Sequence, residues 1–270
     1  MTQDRTDTPL KLGFVGGSIS SAVGRAHAVA CVMDRRFELT AGCFSEVHET
    51  NRHTAIEYGV SEKRLYGTWQ ELLARERGNL DAMVVLLPTP LHHEVVRACL
   101  ESGFPVICEK ALACSSAEAA DVLAVTQRLR GFLAVTYNYS GYPMVRELRH
   151  RIREGELGTI LHFQVEMPQE GFIKAGESGA VPTPQTWRLH DTLIPTLHLD
   201  LGVHLHHLLH YLIGRRPLEV IADHSTYGQF TDVVDYAMGL CRYAEGIRGQ
   251  IWFSKAALGH RNGLRLRVFG

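Results

Sequence analysis

The sequence predicts an α/β protein: a doubly wound parallel sheet, then an α+β domain with a mainly antiparallel sheet. Three observations predict it. Short apolar runs alternate with stretches of helical spacing as far as about Thr136. A glycine pair, Gly16-Gly17, separates the first apolar run from the first helical stretch. Beyond Leu212, four strand-like runs follow one another with no helix between them. The predicted domains are 1–136 and 137–270.

Leu12 to Val15 is a short strand that ends in the glycine pair, and Ala22 to Met33 has helical spacing. Phe37 to Cys43 and Glu49 to Tyr58 repeat the strand and helix. Thr68-Trp69-Gln70-Glu71 is a capping box, in which threonine and glutamate satisfy free backbone N–H groups at a helix start. Met83 to Leu87 is a continuous apolar run, as in a strand buried on both faces. Leu91 to Glu101 is helical, and Val106 to Cys108 is a strand that closes on Glu109-Lys110. Ser115 to Glu118 is a second capping box, opening a helix to about Leu129, and Phe132 to Thr136 is the next strand.

The second half begins with a helix from Pro143 to Arg153, ended at Gly155, and a strand from Leu161 to Met167. Gly171 to Trp187 is rich in Gly, Pro and Thr and reads as a long loop. Leu201 to Leu212 is helical and stops at Gly214. Leu218 to Ala222, Tyr236 to Arg242, Gly249 to Phe253 and Leu264 to Phe269 are the successive strands.

Composition bounds the function. The 270 residues are 45% hydrophobic and 21% charged, as in a globular protein. A formal net charge of −1 gives no basic field for nucleic acid. No apolar run reaches the roughly 18 residues of a membrane span. Met1 to Pro9 is polar, a loose leader without a signal peptide's apolar core. The six cysteines have no C-x-x-C spacing, which places the chain in a reducing compartment, the cytoplasm.

Four constellations carry chemistry. Gly16, Gly17 and Gly24 stand at the first strand-to-helix turn, where backbone N–H groups and the helix dipole suit a pyrophosphate. Serines 18, 20 and 21 interrupt the usual glycine spacing. After the second strand, Glu46 can accept a ribose 2′-hydroxyl, as NAD requires; Ser45 with Arg52 suits the 2′-phosphate of NADP instead. A solvated loop acid is the plain alternative for Glu46. Glu109-Lys110 lies at the C-terminal end of a strand, where open α/β sheets bind ligands; its alternative is a surface ion pair. Asp200 and His204 are four apart on one helix face, so the carboxylate can orient an imidazole that exchanges protons near neutral pH. The alternative is a helix cap and a core histidine. His206 and His210 share a face as zinc ligands can, but no H-E-x-x-H accompanies them, and no metal is expected.

In this order the segments resemble the Gfo/Idh/MocA oxidoreductase family. Gly13-Phe14-Val15-Gly16-Gly17 through Gly24-Arg25-Ala26-His27 is similar to its nucleotide turn. Leu87-Pro88-Thr89-Pro90-Leu91-His92 resembles its Thr-Pro-Asn-x-x-His segment, and Val106 to Ala111 its strand ending in Glu-Lys-Pro. Tyr137-Asn138-Tyr139, Glu154 to Gly158, and Asp200-Leu201-Gly202-Val203-His204 match later family segments, the last its Asp-x-Gly-x-His motif. The resemblance implies a Rossmann domain that binds NAD or NADP, with Pro88, His92, Glu109 and Lys110 added to the cofactor site. It implies hydride transfer at a carbinol carbon of a sugar, cyclitol or related polyol. His204 would be the acid/base, Lys110 would hydrogen-bond the reacting oxygen, and Asp200 would position the pair. Tyr139, Trp187 and Arg188 would line the substrate site. The partner implied is a second copy, as dimer or tetramer, joined through the open sheet of the second domain.

The sequence departs from the family at three places. Serines intrude on the glycine turn, Ala111 replaces a proline whose ring would fix the turn, and the chain stops at Gly270 where family members continue. The second domain is therefore expected to be shortened. These departures keep two rivals in view: a nucleotide-binding sensor without turnover, and a non-redox enzyme that uses NAD transiently.

Overall fold

The computed structural model describes residues 8–270; most of the expected leader lies outside the described residues. The chain divides into two compact units at the Thr136–Tyr137 bond.

The first unit runs β1 (Leu10–Gly16), α1 (Ala22–Met33), β2 (Phe37–Cys43), α2 (His48–Glu57), α3 (Trp69–Glu76), β3 (Ala82–Leu86), α4 (His92–Glu101), β4 (Val106–Cys108), α5 (Ser116–Leu129) and β5 (Leu133–Val135). All five strands are parallel, in the order β2-β1-β3-β4-β5. Both faces are covered. Leu12, Phe14, Val84 and Leu86 pack with Cys31 of α1 and Ala55 of α2; Val15, Met83, Val85 and Val106 pack with α3, α4 and α5. Burial on both faces is why β3 reads as an unbroken apolar run. The chain leaves β1 for β2 on one side and returns to β3 on the other. The carboxyl ends of β1 and β3 therefore flank a topological switch point, the place where such sheets bind ligands.

Local signals position these elements. Helix α4 buries His92, Val95, Val96, Cys99 and Leu100, one stripe at helical spacing. Ser21, Thr68 and Ser115 each cap a helix by accepting a bond from the backbone N–H three residues on. Each such cap contributes about 1 kcal/mol.

The second unit runs α6 (Pro143–Arg153), β6 (His162–Pro168), α7 (Val203–Ile213), β7 (Glu219–Ser225), β8 (Tyr236–Arg242), β9 (Arg248–Ser254) and β10 (Arg265–Phe269). The sheet order is β10-β6-β9-β8-β7. Its pairs are antiparallel except β6 with β9, which is parallel. Helix α7 lays Leu205 and Leu209 on the inner face against Phe163, Val165, Ile251 and Phe253, and ends at Gly214 in the left-handed conformation. The outer face leaves Ile221, Met238 and Leu240 exposed.

One expectation needs correction. Asp200 does not sit at the start of a regular α-helix. His198–Gly202 forms a wider π-type turn leading into α7, and the Val203 N–H reaches back five residues to the His198 carbonyl. Such insertions bulge a helix locally and are frequent at functional sites.

Candidate functional site

The glycine turn is built by close packing. Gly16 and Gly17 have φ of +80° and +74°, a region that favours glycine. A Cβ on Gly24 would lie 2.1 Å from the Gly17 carbonyl oxygen, so α1 approaches the turn as only a glycine allows. The Tyr58 hydroxyl donates to that same oxygen at 3.2 Å, and Ser21 caps α1 through the Gly24 N–H. The serines thus belong to the turn and its cap, and the N-terminus of a twelve-residue helix stands behind it. The turn fits a dinucleotide's pyrophosphate.

The segment after β2 is anchored by Asn51, whose amide accepts from the Phe44 N–H and donates to the Tyr66 carbonyl, both at 2.8 Å. Ser45 accepts from the Val47 N–H, and Glu46 is exposed. Arg52 is paired with Glu62 at 2.7 Å.

At the end of β4, Glu109 is partly buried and makes three contacts. His27 of α1 reaches one oxygen at 2.8 Å, and the Thr136 hydroxyl donates to the same oxygen at 2.7 Å. The Lys110 N–H donates to the other. Burial alone would push this carboxyl up, but the bonds from His27 and Thr136 outweigh it and hold it below its usual range. The Lys110–Ala111 peptide is cis. His92 is enclosed by backbone. It is fully buried, with Nδ1 2.6 Å from the Ala111 carbonyl and Nε2 2.7 Å from the Leu87 carbonyl. A neutral imidazole donates to one of these carbonyls only, but both nitrogens are enclosed by backbone, so His92 is a bolt between the loop after β3, which carries Pro88, and the loop of Lys110. Burial pushes its imidazole down, against the opposing pull of the two carbonyls.

In the second unit, Asp200 and His204 are both 7% exposed. Asp200 lies between two cations: Oδ1 accepts from the Arg188 guanidinium at 3.3 Å and Oδ2 from the Lys255 ammonium. The His204 ring meets Tyr139 edge-on at 4.8 Å and Tyr137 at 6.2 Å. The Tyr139 hydroxyl accepts from Asn262 at 2.9 Å, and burial pushes that phenol up. Trp187 donates its indole N–H to Gln185 and lies under the Arg188 guanidinium, 4.9 Å from ring centre to Cζ. Asp200, His204, Tyr139 and Arg188 are therefore neighbours within this unit.

Lys255 is the residue that sequence reasoning missed. It directly follows β9 and meets Asp200 across 55 positions. The one sequence signal was a lysine closing a buried apolar strand. The histidines divide among other roles: His198 and His224 face each other at 2.9 Å, and His207 bonds Ser140 at 3.1 Å. Among the described residues no group of three or more His, Cys, Asp or Glu is arranged to hold a metal.

Comparison with known proteins adds to this geometry. A family model described as an oxidoreductase family with an NAD-binding Rossmann fold matches residues 10–137. The GFO/IDH/MocA C-terminal domain matches residues 145–270. The uncharacterized oxidoreductase YfiI of Bacillus subtilis is 31% identical over 97% of this chain and 68% of its own length. Levoglucosan dehydrogenase of Pseudarthrobacter phenanthrenivorans is 24% identical over 97% of this chain and 71% of its own. Among solved structures, an inositol dehydrogenase homolog from Azotobacter vinelandii, complexed with NADH and myo-inositol, superposes with a TM-score of 0.88. It is 27% identical, covering 97% of this chain and 68% of that one.

Proposed function

The chain belongs to the Gfo/Idh/MocA oxidoreductase family, and from that premise we propose that it moves a hydride between a nicotinamide and the carbinol carbon of a sugar, cyclitol or related polyol. That it is an NAD-binding oxidoreductase follows from the family. The substrate class is our inference from relatives named for levoglucosan and for inositol.

One observation carries the reading. A carboxylate and an imidazole, Asp200 and His204, are buried together near the start of α7, with two cations on the carboxylate. Oxidising an alcohol requires a proton to leave the hydroxyl as hydride leaves the carbon. His204 takes that proton and returns it in the reverse direction. Lys110 donates to the same oxygen and stabilises its developing negative charge. Asp200, held by Arg188 and Lys255, positions the pair. The nicotinamide, when bound, supplies the hydride acceptor or donor. Gly16, Gly17 and Gly24 would hold its pyrophosphate, and Ser45 and Glu46 its ribose. Tyr139 and Arg188 would meet the polyol, with Trp187 holding the Arg188 plane.

On the same premise we infer a homo-oligomer. The exposed Ile221, Met238 and Leu240 on the outer sheet face support that face as the contact. Five of the six free cysteines are buried as thiols, which supports a reducing compartment, the cytoplasm. No helix among the described residues is long and apolar enough to cross a membrane.

The test is titration with NADH and NADPH by nicotinamide fluorescence, then turnover of a panel including myo-inositol and levoglucosan. Saturable binding with polyol-dependent reduction of NAD+ or NADP+ supports the reading. Binding without turnover of any polyol would support a sensor, and product formation without net cofactor reduction a transient use of NAD. Size-exclusion chromatography with light scattering reads the oligomer.

A further inference from the structure

We propose that Asn262 is a positioning residue that sets substrate specificity. It donates to the Tyr139 hydroxyl, so the phenol has only its proton to offer and selects a polyol that carries an acceptor oxygen there. The inference rests on the reading of Tyr139 as a substrate contact and adds a residue 123 positions away that no motif marks.

Tyr139 is a buried core residue. Its ring packs edge-on against His204 and Tyr142, with centroids 4.8 and 5.6 Å away. Its hydroxyl reaches the loop between β9 and β10, where the Asn262 Nδ2 lies at 2.9 Å. That loop is tied down on both sides of the asparagine. The Gly259 N–H donates to the buried Glu170 carboxylate at 3.0 Å, and the Gly263 N–H to the Pro168 carbonyl at 2.9 Å. A Cβ on Gly263 would come within 2.7 Å of Pro168 Cγ, so the loop lies hard against the end of β6. The Asn262 side chain is held in turn by Gln169, whose Nε2 donates to Asn262 Oδ1 at 3.3 Å.

The order of donors decides what Tyr139 can do. A phenol donates one proton and can also accept. Gln169 donates to the Asn262 oxygen, which leaves the Asn262 NH2 group to donate to Tyr139. The accepting side of the phenol is then filled. Among the described residues the Tyr139 hydroxyl has no other hydrogen bond, so its proton is the group left for a ligand. The opposite order would commit that proton to Asn262, and it has a different signature. A bond given to the phenol favours phenolate and pulls its titration down; a bond given by the phenol favours the neutral form. Burial pushes the Tyr139 phenol up, and the bond from Asn262 opposes that push. A hydroxyl that can only donate pairs with a hydroxyl, carbonyl or carboxylate oxygen. A methylene or an ammonium has no lone pair to receive it. A site built around such a bond rejects the analogue that lacks its partner.

The first arm of the test needs no substrate. The full chain is labelled with fluorotyrosine, whose phenols titrate in a milder range, and followed against pH by fluorine NMR. The Tyr139 resonance is assigned by its loss in Tyr139→Phe. Tyr142, Asp200 and His204 face the phenol and are the same in every variant compared. Asn262→Leu is expected to move the Tyr139 midpoint upward by about one pH unit, since the bond that favours phenolate is gone. A downward or unchanged midpoint overturns the proposal. Asn262→Ala replaces the leucine variant if that does not fold, with the same sign required. The second arm uses myo-inositol or levoglucosan, whichever the wild type turns over, beside its mono-deoxy analogues. Asn262→Asp offers the phenol an acceptor of the same shape and takes its proton. The preference in kcat/KM over one of those analogues should therefore fall at least about tenfold, as it should in Tyr139→Phe. An unchanged preference in Asn262→Asp overturns the specificity assigned to this pair. If the wild type turns over no polyol, the function above fails, and the sign of the midpoint shift still decides the role of Asn262.

Discussion

Gly24 stands against the peptide of Gly17 so closely that a Cβ on it would come within 2.1 Å of the Gly17 oxygen and 2.4 Å of its carbonyl carbon. Backbone cannot yield as a flexible side chain can, so Gly24→Ala must push α1 away from the turn. The expected cost is about 1–3 kcal/mol of stability, the range for overpacking. NADH affinity should fall at least about tenfold, because the displaced N–H groups are those offered to the pyrophosphate. Thermal unfolding and fluorescence titration measure the two effects. Gly67→Ala is the control, since a Cβ there meets nothing within 4 Å.

The contrast between this turn and Lys255 explains what could be read from the sequence. Caps at Ser21, Thr68 and Ser115 act over three residues, and the α4 stripe repeats over one or two turns, so both are visible in a local window. The parallel sheet follows from strand-helix alternation for the same reason. The Gly24–Gly17 contact was visible only as a pair of glycines, because nothing local says which backbone a missing Cβ admits. The Lys255–Asp200 bond and the parallel pairing of β6 with β9 join segments far apart in the chain, which no periodicity encodes. The π-type turn at His198–Gly202 has the apolar spacing of the helix it enters. The two carbonyls around His92 were not legible either, since they come from the loops after β3 and β4.

That bolt makes a prediction about catalysis at a distance. His92→Ala removes the contacts to Leu87 and Ala111, leaves a buried carbonyl without its donor and opens a cavity behind Lys110's loop. About 2–4 kcal/mol of stability should be lost. If Lys110 acts on the reacting oxygen, kcat should fall about tenfold or more, because a small misplacement of a catalytic group is costly. NADH affinity should change far less, since the glycine turn is untouched. Steady-state kinetics beside fluorescence titration separates these outcomes. An unchanged kcat in a folded variant would show that the loop does not need its bolt.

Lys110→Ala and His204→Ala test the chemistry itself. Each should lower kcat by at least about a hundredfold, the lower range for general acid–base groups, with NADH affinity within about threefold of the wild type. His204→Ala should also remove the acid limb from the pH profile of kcat/KM. Near-normal turnover in either variant would reject the assigned roles.

His198 should make stability depend on pH. Its ring is pressed on Phe253 and faces His224, with His206 and Asp191 also near enough to act on its charge. Burial, then His224 and His206, push its imidazole down to about 4, against the partial opposition of Asp191. An unfolded histidine titrates near 6.5. Between those values the unfolded chain binds a proton that the folded chain refuses, so stability falls as pH is lowered through this window and is fully present above it. The full difference is about 1.4 kcal/mol per pH unit, which sets an upper limit of about 3.5 kcal/mol over the window. His198→Asn keeps a polar side chain but cannot titrate. Urea unfolding from pH 4.5 to 7.5 should therefore show a steeper loss toward acid in the wild type than in His198→Asn, the other histidines contributing equally to both. Parallel curves would mean that the imidazole accepts its proton in the folded chain, with the contact to His224 broken or rearranged.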